Sequence, residues 1–513
     1  MTIASRYTEL TADRQSYLDE GRRMAELTIP TLLPPQGHNN TTKYKTPYQS
    51  LGSRGVNNLA SKLLMALLPT NTSFARLSVS DDQLEKLGAK ARGEVEVGLS
   101  KIEKQVMTQI ETRAIRVSGF EALKQLIVVG NALTFIAPDG GMKVYRLDRY
   151  VVYRDTMGNL MEVILLEQVN KNMLPKNVQE QLPLNITEEQ AKSLDIYTHC
   201  IRQDNKWRVT QECMGVLLEE TAGSYNEQEF PYQALRFVRI DGENYGRGYV
   251  EEYKGDLYSL ESLSKSIIDA SAAMAKLLFL VKPGATKAKA LSQAKNGAFV
   301  TGDANDVTAL QINKSVDLQV TKGTIEMLNS RLASAFLLNS AVQRNADRVS
   351  AEEIRFMAQE LETALGGVYS ILSQDWQLPL VGILLAGLTK AKKIPKIPNG
   401  IEPMITTGLE QLGRQQDIEK LGGFIQFCNA LGPEVLGQEC NKTELVKRFA
   451  AAMGIDPLGL LKTPEEKQVA QDSQTQQMQQ QMMAQGMIKA APQLAQQAGQ
   501  AGQAIQPKPQ EQP

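Results

Sequence analysis

Residues 249–281 read YVEEYKGDLYSLESLSKSIIDASAAMAKLLFLV, and residues 321–338 read TKGTIEMLNSRLASAFLL. In the first stretch apolar residues recur at Tyr253, Leu257, Leu260, Ile267, Met274, Leu278 and Val281, with no proline between them. That spacing predicts one long helix with a continuous apolar stripe. Ala270, Ala272, Ala273 and Ala275 lie beside the stripe and let a neighbouring helix come close. Lys282-Pro283-Gly284 is a strong stop. In the second stretch Ile325, Leu328, Leu332 and Ala335 share one face, so a second helix returns toward the start of the first. The insert between them, 282–320, is too short to bury a core of its own. It reads as a polar helix carrying Lys287, Lys289 and Lys295, followed by strands at 299–300, 307–312 and 316–320. The last strand is inferred from the alternation of Val316, Leu318 and Val320.

Past Leu338 the helical pattern fades into NSAVQRNADRV, residues 339–349, which reads as a polar loop. A new helix starts at Ser350-Ala351-Glu352-Glu353, where Ser350 and Glu353 have the spacing of a capping box. Ile354, Met357, Leu361, Leu365 and Val368 continue its apolar face. Leu380–Leu388, a linker with Pro395 and Pro398, and helices at 408–431 and 444–453 come next. Thr463-Pro464-Glu465-Glu466 reads as another helix start, with proline at the first helical position. From Gln471 the chain turns to Gln, Ala, Met and Gly, a low-complexity composition that reads as partly disordered.

Working toward the other end, residues 1–28 place Tyr7, Leu10, Tyr17, Leu18, Met24 and Leu27 at helical spacing, and Tyr48–Leu68 forms a helix ended by Pro69. Arg54 and Lys62 fall on the polar side of that second helix. Capping boxes at Ser80-x-x-Gln83, Ser118-x-x-Glu121 and Thr187-x-x-Gln190 mark further helix starts. From Ala132 to about Asp241 the texture is that of short strands, including Leu133, Phe135, Val144, Tyr145, 151–153, Val163, Leu165, Ile196, 206–209 and 234–238. Turns fall at Asp139-Gly140-Gly141 and Met157-Gly158-Asn159. The fold class is therefore mainly α with a smaller α+β part.

At 513 residues the chain can bury a large core and should divide into several regions. With 56 basic against 57 acidic residues it lacks the positive excess that tight wrapping of DNA requires. That balance is compatible with a channel through which DNA slides. No run of eighteen apolar residues and no secretory core is present, so no membrane association is expected. His38 and His199 are the only histidines, which leaves no serine or cysteine with a triad partner. Cys200, Cys213, Cys428 and Cys440 form no CxxC pair; with His199 they lack a fourth ligand at zinc spacing and read as buried thiols. No GxxxxGK[ST] loop occurs, and Gly242, Gly246 and Gly248 precede Glu251, Glu252 and Asp256, which would repel phosphate. Those acids suit the first turns of a helix better than a metal nuclease. The expectation is a non-enzyme without cofactors.

Residues 337–381, LLNSAVQRNADRVSAEEIRFMAQELETALGGVYSILSQDWQLPLV, resemble the portal, or head-to-tail connector, of short-tailed phages related to T7. TPYQSLGSRGVNNLASKLLMALLP (46–69), FEALKQLIVVGNAL (120–133), YRLDRYVVYRDTMGN (145–159) and IDGENYGRGYVEEYKGDLYSLESL (240–263) carry the same likeness, which runs in order over roughly residues 10–465. The resemblance implies a ring, usually of twelve subunits, at one capsid vertex of the virion. It divides the chain into an N-terminal wing (1–248), stem helix 1 (249–281), clip (282–320), stem helix 2 (321–338) and channel loop (339–350). A C-terminal wing helix with linker (351–400), a crown (401–470) and the tail (471–513) complete it.

The same resemblance implies transient, non-specific contact with double-stranded viral DNA. The implied protein partners are a tail adaptor, the terminase large subunit, scaffolding and major capsid proteins, and internal core proteins. The loop residues Asn339, Gln343, Arg344, Asn345, Asp347 and Arg348 would project into the channel. On the stem, Glu251, Lys254, Glu261, Lys265 and Lys276 are the candidates to face it, an acidic excess with isolated lysines making a non-sticky wall. Lys287, Lys289 and Lys295 are the candidate docking residues of the clip. The competing readings are another head–tail ring, such as an adaptor, and a phage DNA-processing enzyme.

Overall fold

The computed structural model describes residues 2–39, 41–70, 73–78, 81–138, 140–183, 187–274, 278–281, 307–310, 315–338, 351–394, 404–407 and 414–431, with scattered residues between 289 and 305 and between 440 and 449. The chain forms two compact units, Met1–Phe427 and Cys428–Pro513. In the second, Cys428 is buried and its thiol is hydrogen-bonded to that of Cys440. The first unit is mixed α/β and mostly helical.

Helix α1 (Ile3–Leu27) buries Ile3, Tyr7, Leu10, Tyr17, Leu18 and Met24, the face its spacing predicts. Its first turn is anchored both locally and at long range. Thr2 caps it through the Ser5 N–H, and the N–H groups of Ile3 and Ala4 donate to the Glu212 carboxylate at 2.6 and 3.3 Å. A carboxylate there satisfies unpaired donors and complements the helix dipole. Helix α2 (Leu51–Leu67) ends one residue short of Leu68 and buries a continuous face that includes Val56, Leu59, Ala60, Leu63 and Leu67. Lys62 is not on a polar side: it is buried and lies 3.6 Å from Glu360, because that face of α2 is covered by a later helix. Arg54 is exposed as expected.

Strand β1 (Ala75–Ser78) precedes α3 (Asp81–Thr112) and α4 (Ile115–Val129). The Ser80 cap lies outside the described residues. Ser118 is not a cap, since α4 begins at Ile115 with left-handed Ala114 before it; the Ser118 hydroxyl donates instead to the Met142 carbonyl at 2.5 Å. Gly130 closes α4 at φ +81°, where a Cβ would meet the Arg247 carbonyl carbon at 2.3 Å.

That tight turn feeds β2 (Asn131–Ile136), β3 (Met142–Tyr145), β4 (Tyr150–Arg154) and β5 (Leu160–Val169). Next come α5 (Lys176–Gln181), α6 (Glu188–Lys192), β6 (Leu194–Gln203), β7 (Lys206–Cys213), β8 (Val216–Leu217), β9 (Gly223–Asn226) and β10 (Tyr232–Arg236). The reciprocal capping box at Thr187 and Gln190 is present. The strands form an antiparallel sheet in the order β4-β5-β6-β7-β8, with β9 on β7, and a second sheet in the order β10-β2-β3. Helix α1 lies on the larger sheet, where Tyr7 meets Tyr197 edge to face with ring centroids 5.4 Å apart.

The region read as one outward helix is two. Helix α7 (Tyr249–Glu252) is separated from α8 (Lys254–Met274) by Tyr253, which leaves helical geometry at ψ 13°. Leu278–Val281 is a strand, β11, paired antiparallel with β12 (Val307–Leu310). The short apolar run is compatible with either helix or strand, and pairing with β12 decides it. Val316–Val320, read as a strand, lies in helix α9 (Ser315–Ala335). Val316 and Val320 stand four apart, and with Leu318 between them they imitate period-two alternation on a helix.

Helix α10 (Ala351–Ala364) buries Ile354, Met357 and Leu361, but it does not continue to Val368. Gly366 and Gly367, at φ +59° and +90°, interrupt it before α11 (Val368–Leu372), a π-helical turn over Ser373–Gln377 and α12 (Leu378–Lys390). By composition and length Val368–Lys390 could cross a membrane. Here Leu372, Trp376, Leu380, Val381, Leu384 and Leu388 are buried in the core. Strand β13 (Met404–Thr407), which sequence pattern did not reveal, pairs with β1. Helix α13 (Arg414–Leu431) falls within the predicted helix 408–431, whose first residues, 408–413, lie outside the described residues. The expected helices at 444–453 and from Thr463, and the tail from Gln471, fall mainly outside the described residues.

Candidate functional site

Helices α8 and α9 form an antiparallel hairpin. Asp256 near the start of α8 pairs with Arg331 near the end of α9 at 3.0 Å, while β11 and β12 join at the far end. The near end has a built seat. Leu257, Leu260, Leu328, Leu332 and Phe336 are buried there. The Tyr249 hydroxyl donates to the Ala335 carbonyl at 2.9 Å, and Asn58 Nδ2 donates to the carbonyls of Phe336 and Leu337, both at 3.0 Å. These bonds satisfy carbonyls that a helix end leaves unpaired. Gly55 of α2 leaves room for the Phe336 ring, since a Cβ there would stand 2.5 Å from its Cγ.

Away from the seat the hairpin is open. Among the described residues of α8 only Leu257 and Leu260 are buried. Tyr258 is 69% exposed, Ile268 48%, Met327 53% and Val320 68%, and Met274 and Leu280 are exposed as well. Single exposed apolar residues need no explanation, but a set of them along one protruding hairpin marks an interaction surface.

The sequence-derived stem residues separate into two kinds. Glu261 accepts the N–H groups of Tyr48 and Gln49 at 3.0 and 3.1 Å, so it anchors the approach to α2. Glu251 pairs with Arg247 at 3.3 Å, and Lys254 pairs with Glu20 of α1 at 2.8 Å. These three brace the hairpin's root within one chain. Lys265 is exposed on α8, and Lys276 lies outside the described residues. A cavity of about 550 Å³ opens beside Glu261, lined by Gln49, Ser50, Arg54, Ser264 and Asn329 among others. Arg331, Asn58 and Tyr249 were not singled out in the sequence, and Asp256 was read only as an acid suited to the first turns of a helix. Their roles depend on contacts across dozens to hundreds of residues, which no local pattern reveals.

Of the clip residues, Lys289 and Lys295 are exposed and Lys287 lies outside the described residues. Asn339, Gln343, Arg344, Asn345, Asp347, Arg348 and the cap residue Ser350 also lie outside them; Glu353 is half-buried on α10. Among the described residues no cluster of three His, Cys, Asp or Glu side chains could hold a metal ion. Burial raises the thiol pKa of Cys200 and Cys213, and His199 Nε2 is bound to the Glu162 carboxylate at 2.9 Å rather than directed at a cysteine.

Residues 1–461 match the family model described as bacteriophage head to tail connecting protein. The chain is 42% identical over 510 residues to the portal protein of Escherichia phage T7, covering 97% of this chain and 93% of that one. It is 43% identical over 473 residues to the portal protein of Enterobacteria phage T3, covering 90% and 88%. Among solved structures it is similar to a chain of the neck of an empty GTA particle, at 13% identity and a TM-score of 0.34, over 73% of this chain and 86% of that one. The chain belongs to the bacteriophage head to tail connecting proteins, and within them to the portal proteins of T7-like phages. Its role is structural rather than enzymatic, and its place is the portal vertex of the virion.

Proposed function

We propose that this chain closes into a ring, of twelve subunits as the resemblance implies, with the α8–α9 hairpins set around a central channel for double-stranded DNA. The observation that carries this reading is the set of exposed apolar residues on a hairpin whose root is anchored by buried Leu257, Leu260, Leu328, Leu332 and Phe336. A closed ring of identical subunits needs two different complementary surfaces on each. Two sides of one exposed hairpin can supply them. In this reading Lys265 and Lys276 are the stem lysines free to meet DNA, whereas Glu251, Lys254 and Glu261 hold the stem to the body. Arg344 and Arg348, between the ends of α9 and α10, supply weak, salt-sensitive phosphate contacts that a ring would multiply. Lys287, Lys289 and Lys295 belong to the docking face for the tail adaptor and the terminase large subunit. Scaffolding, major capsid and internal core proteins would meet the ring elsewhere.

The test is assembly of Ile268→Asp and Val320→Asp variants, followed by native mass measurement and circular dichroism. Both should keep the parental spectrum while falling from rings to small species. Rings of unchanged size from both variants would place the subunit contacts outside the hairpin.

A further inference from the structure

Three arginines converge beneath the exposed β4–β5 turn, at residues the head-to-tail reading does not use. Arg154 donates through Nε to the Asn244 carbonyl (3.0 Å), through one terminal nitrogen to that of Gly158 (3.1 Å) and through the other to that of Ala234 (2.8 Å). Arg236, only 6% exposed, donates to the carbonyls of Glu243 (2.9 Å) and Gly158 (3.4 Å). Arg239, more open, pairs with Asp375.

Carbonyl oxygens fix the two inner guanidinium groups in place but do not neutralise them. The nearby acids are committed elsewhere. The Glu243 carboxylate is on Arg247, Asp13 accepts from the Asn244 side chain, and Asp155 accepts the Met157 and Asn159 N–H groups of the turn. The three cations therefore make one direct ion pair between them, and the inner two keep N–H groups with no acceptor among the described residues. One buried arginine would suffice to brace a turn. Several together, each disfavoured by burial and by its neighbours, are costly unless an anion joins them. Burial first, and then Arg236, lowers the pKa of Arg154 to about 9.

We propose that Arg154, Arg236 and Arg239 form a cradle for a phosphate-class oxyanion beneath the Gly158 turn. Forked guanidinium donors match tetrahedral oxyanions well. Gly158 stands at φ +81°, and a Cβ there would come within 3.1 Å of an Arg236 terminal nitrogen, so the turn closes directly over the cradle. Met157 and Asn159 beside it are exposed, which leaves a route from solvent.

The test is equilibrium dialysis of the full-length protein with radiolabelled inorganic phosphate, chloride holding ionic strength constant. Saturable binding is expected. Arg239→Gln, on the open side of the cradle, should weaken it about tenfold or more, as loss of a charge-assisted contact does. Arg154→Lys, which keeps the charge and loses the fork, should weaken it too, and Arg202→Gln on the same domain should leave it unchanged. A second arm adds a short DNA duplex. If inorganic phosphate displaces duplex from the parent but not from Arg239→Gln, the cradle takes a backbone phosphate. Equal displacement from both assigns it to free phosphate. No saturable phosphate binding in the parent would overturn the proposal. So would unchanged affinity in a natively folded Arg239→Gln protein.

Discussion

Helices α2 and α8 are both amphipathic, yet they meet different fates. On α2, Val56, Leu59, Ala60, Leu63, Ala66 and Leu67 have no exposed surface, while α8 buries only Leu257 and Leu260 and leaves Tyr258 and Ile268 in solvent. An apolar stripe is thus a demand for a partner and does not say where the partner is. On α2 the same chain meets that demand through α4, α9 and α10. On the distal part of α8, α9 meets it only in part, and Tyr258 and Ile268 stay exposed within this chain. Contacts within the chain should therefore govern folding at α2, and contacts beyond it should govern α8.

The largest expected effect tests the body's side of this contrast. Gly130→Ala forces a side chain into left-handed backbone and against the Arg247 backbone. It should cost about 3 kcal/mol or more and lower soluble yield, measured by denaturant titration. A loss under about 1 kcal/mol would mean that the turn adapts.

Leu59→Ala in α2 should cost about 2–5 kcal/mol, whereas Tyr258→Ser on α8 should change the stability of the isolated chain by less than about 0.5 kcal/mol. Comparable losses at the two sites would break the comparison.

Next comes a pH effect in the body. The Glu162 carboxylate accepts from His199 at 2.9 Å and from Arg6 at 2.8 Å. Burial alone would raise its pKa, but the hydrogen bonds from His199 and Arg6, aided by their charges, outweigh burial and hold it at about 2. A folded pKa below the unfolded value gives stability that is present above about pH 4.5 and lost as pH falls toward 2. The contribution is on the order of 2–3 kcal/mol. Glu162→Gln should flatten the acid limb of a melting-temperature profile between those pH values; an identical limb would remove Glu162 from the acid response.

The smallest effect belongs to the root of the hairpin, where Lys254→Ala breaks a pair between a half-exposed lysine and the largely covered Glu20. Its cost should stay below about 1 kcal/mol by thermal melt, and a larger loss would show that the pair is part of the seat.

Much of this fold was legible from sequence because long periodic segments leave little choice. The faces of α1, α2 and α10 and the strands from Leu133 to Val209 come straight from spacing. Errors arose where several short-range patterns fit equally well. Leu278–Val281 suited helix or strand until β12 paired with it. Ser118 had capping spacing, but left-handed Ala114 had already started the helix. Lys62 looked like a surface charge because its partner Glu360 lies almost three hundred residues away. The site was legible in outline, a helix out and a helix back. The residues that seat it, Gly55, Asn58, Tyr249 and Phe336, act only through contacts between distant segments. The arginines beneath the Gly158 turn were invisible for the same reason.

The contact between the first turn of α1 and Glu212 also bears on the order of events in the cell. The Ile3 N–H and its acceptor are 209 positions apart. At roughly 5–20 residues per second of synthesis, α1 leaves the ribosome at least about ten seconds before β7 exists to receive it. For most of that interval Tyr7 and Leu10 have no sheet to lie on, since β4 begins only at Tyr150. Docking of α1 is therefore a late step of translation, and the α/β body stays unfinished until β7 has been made.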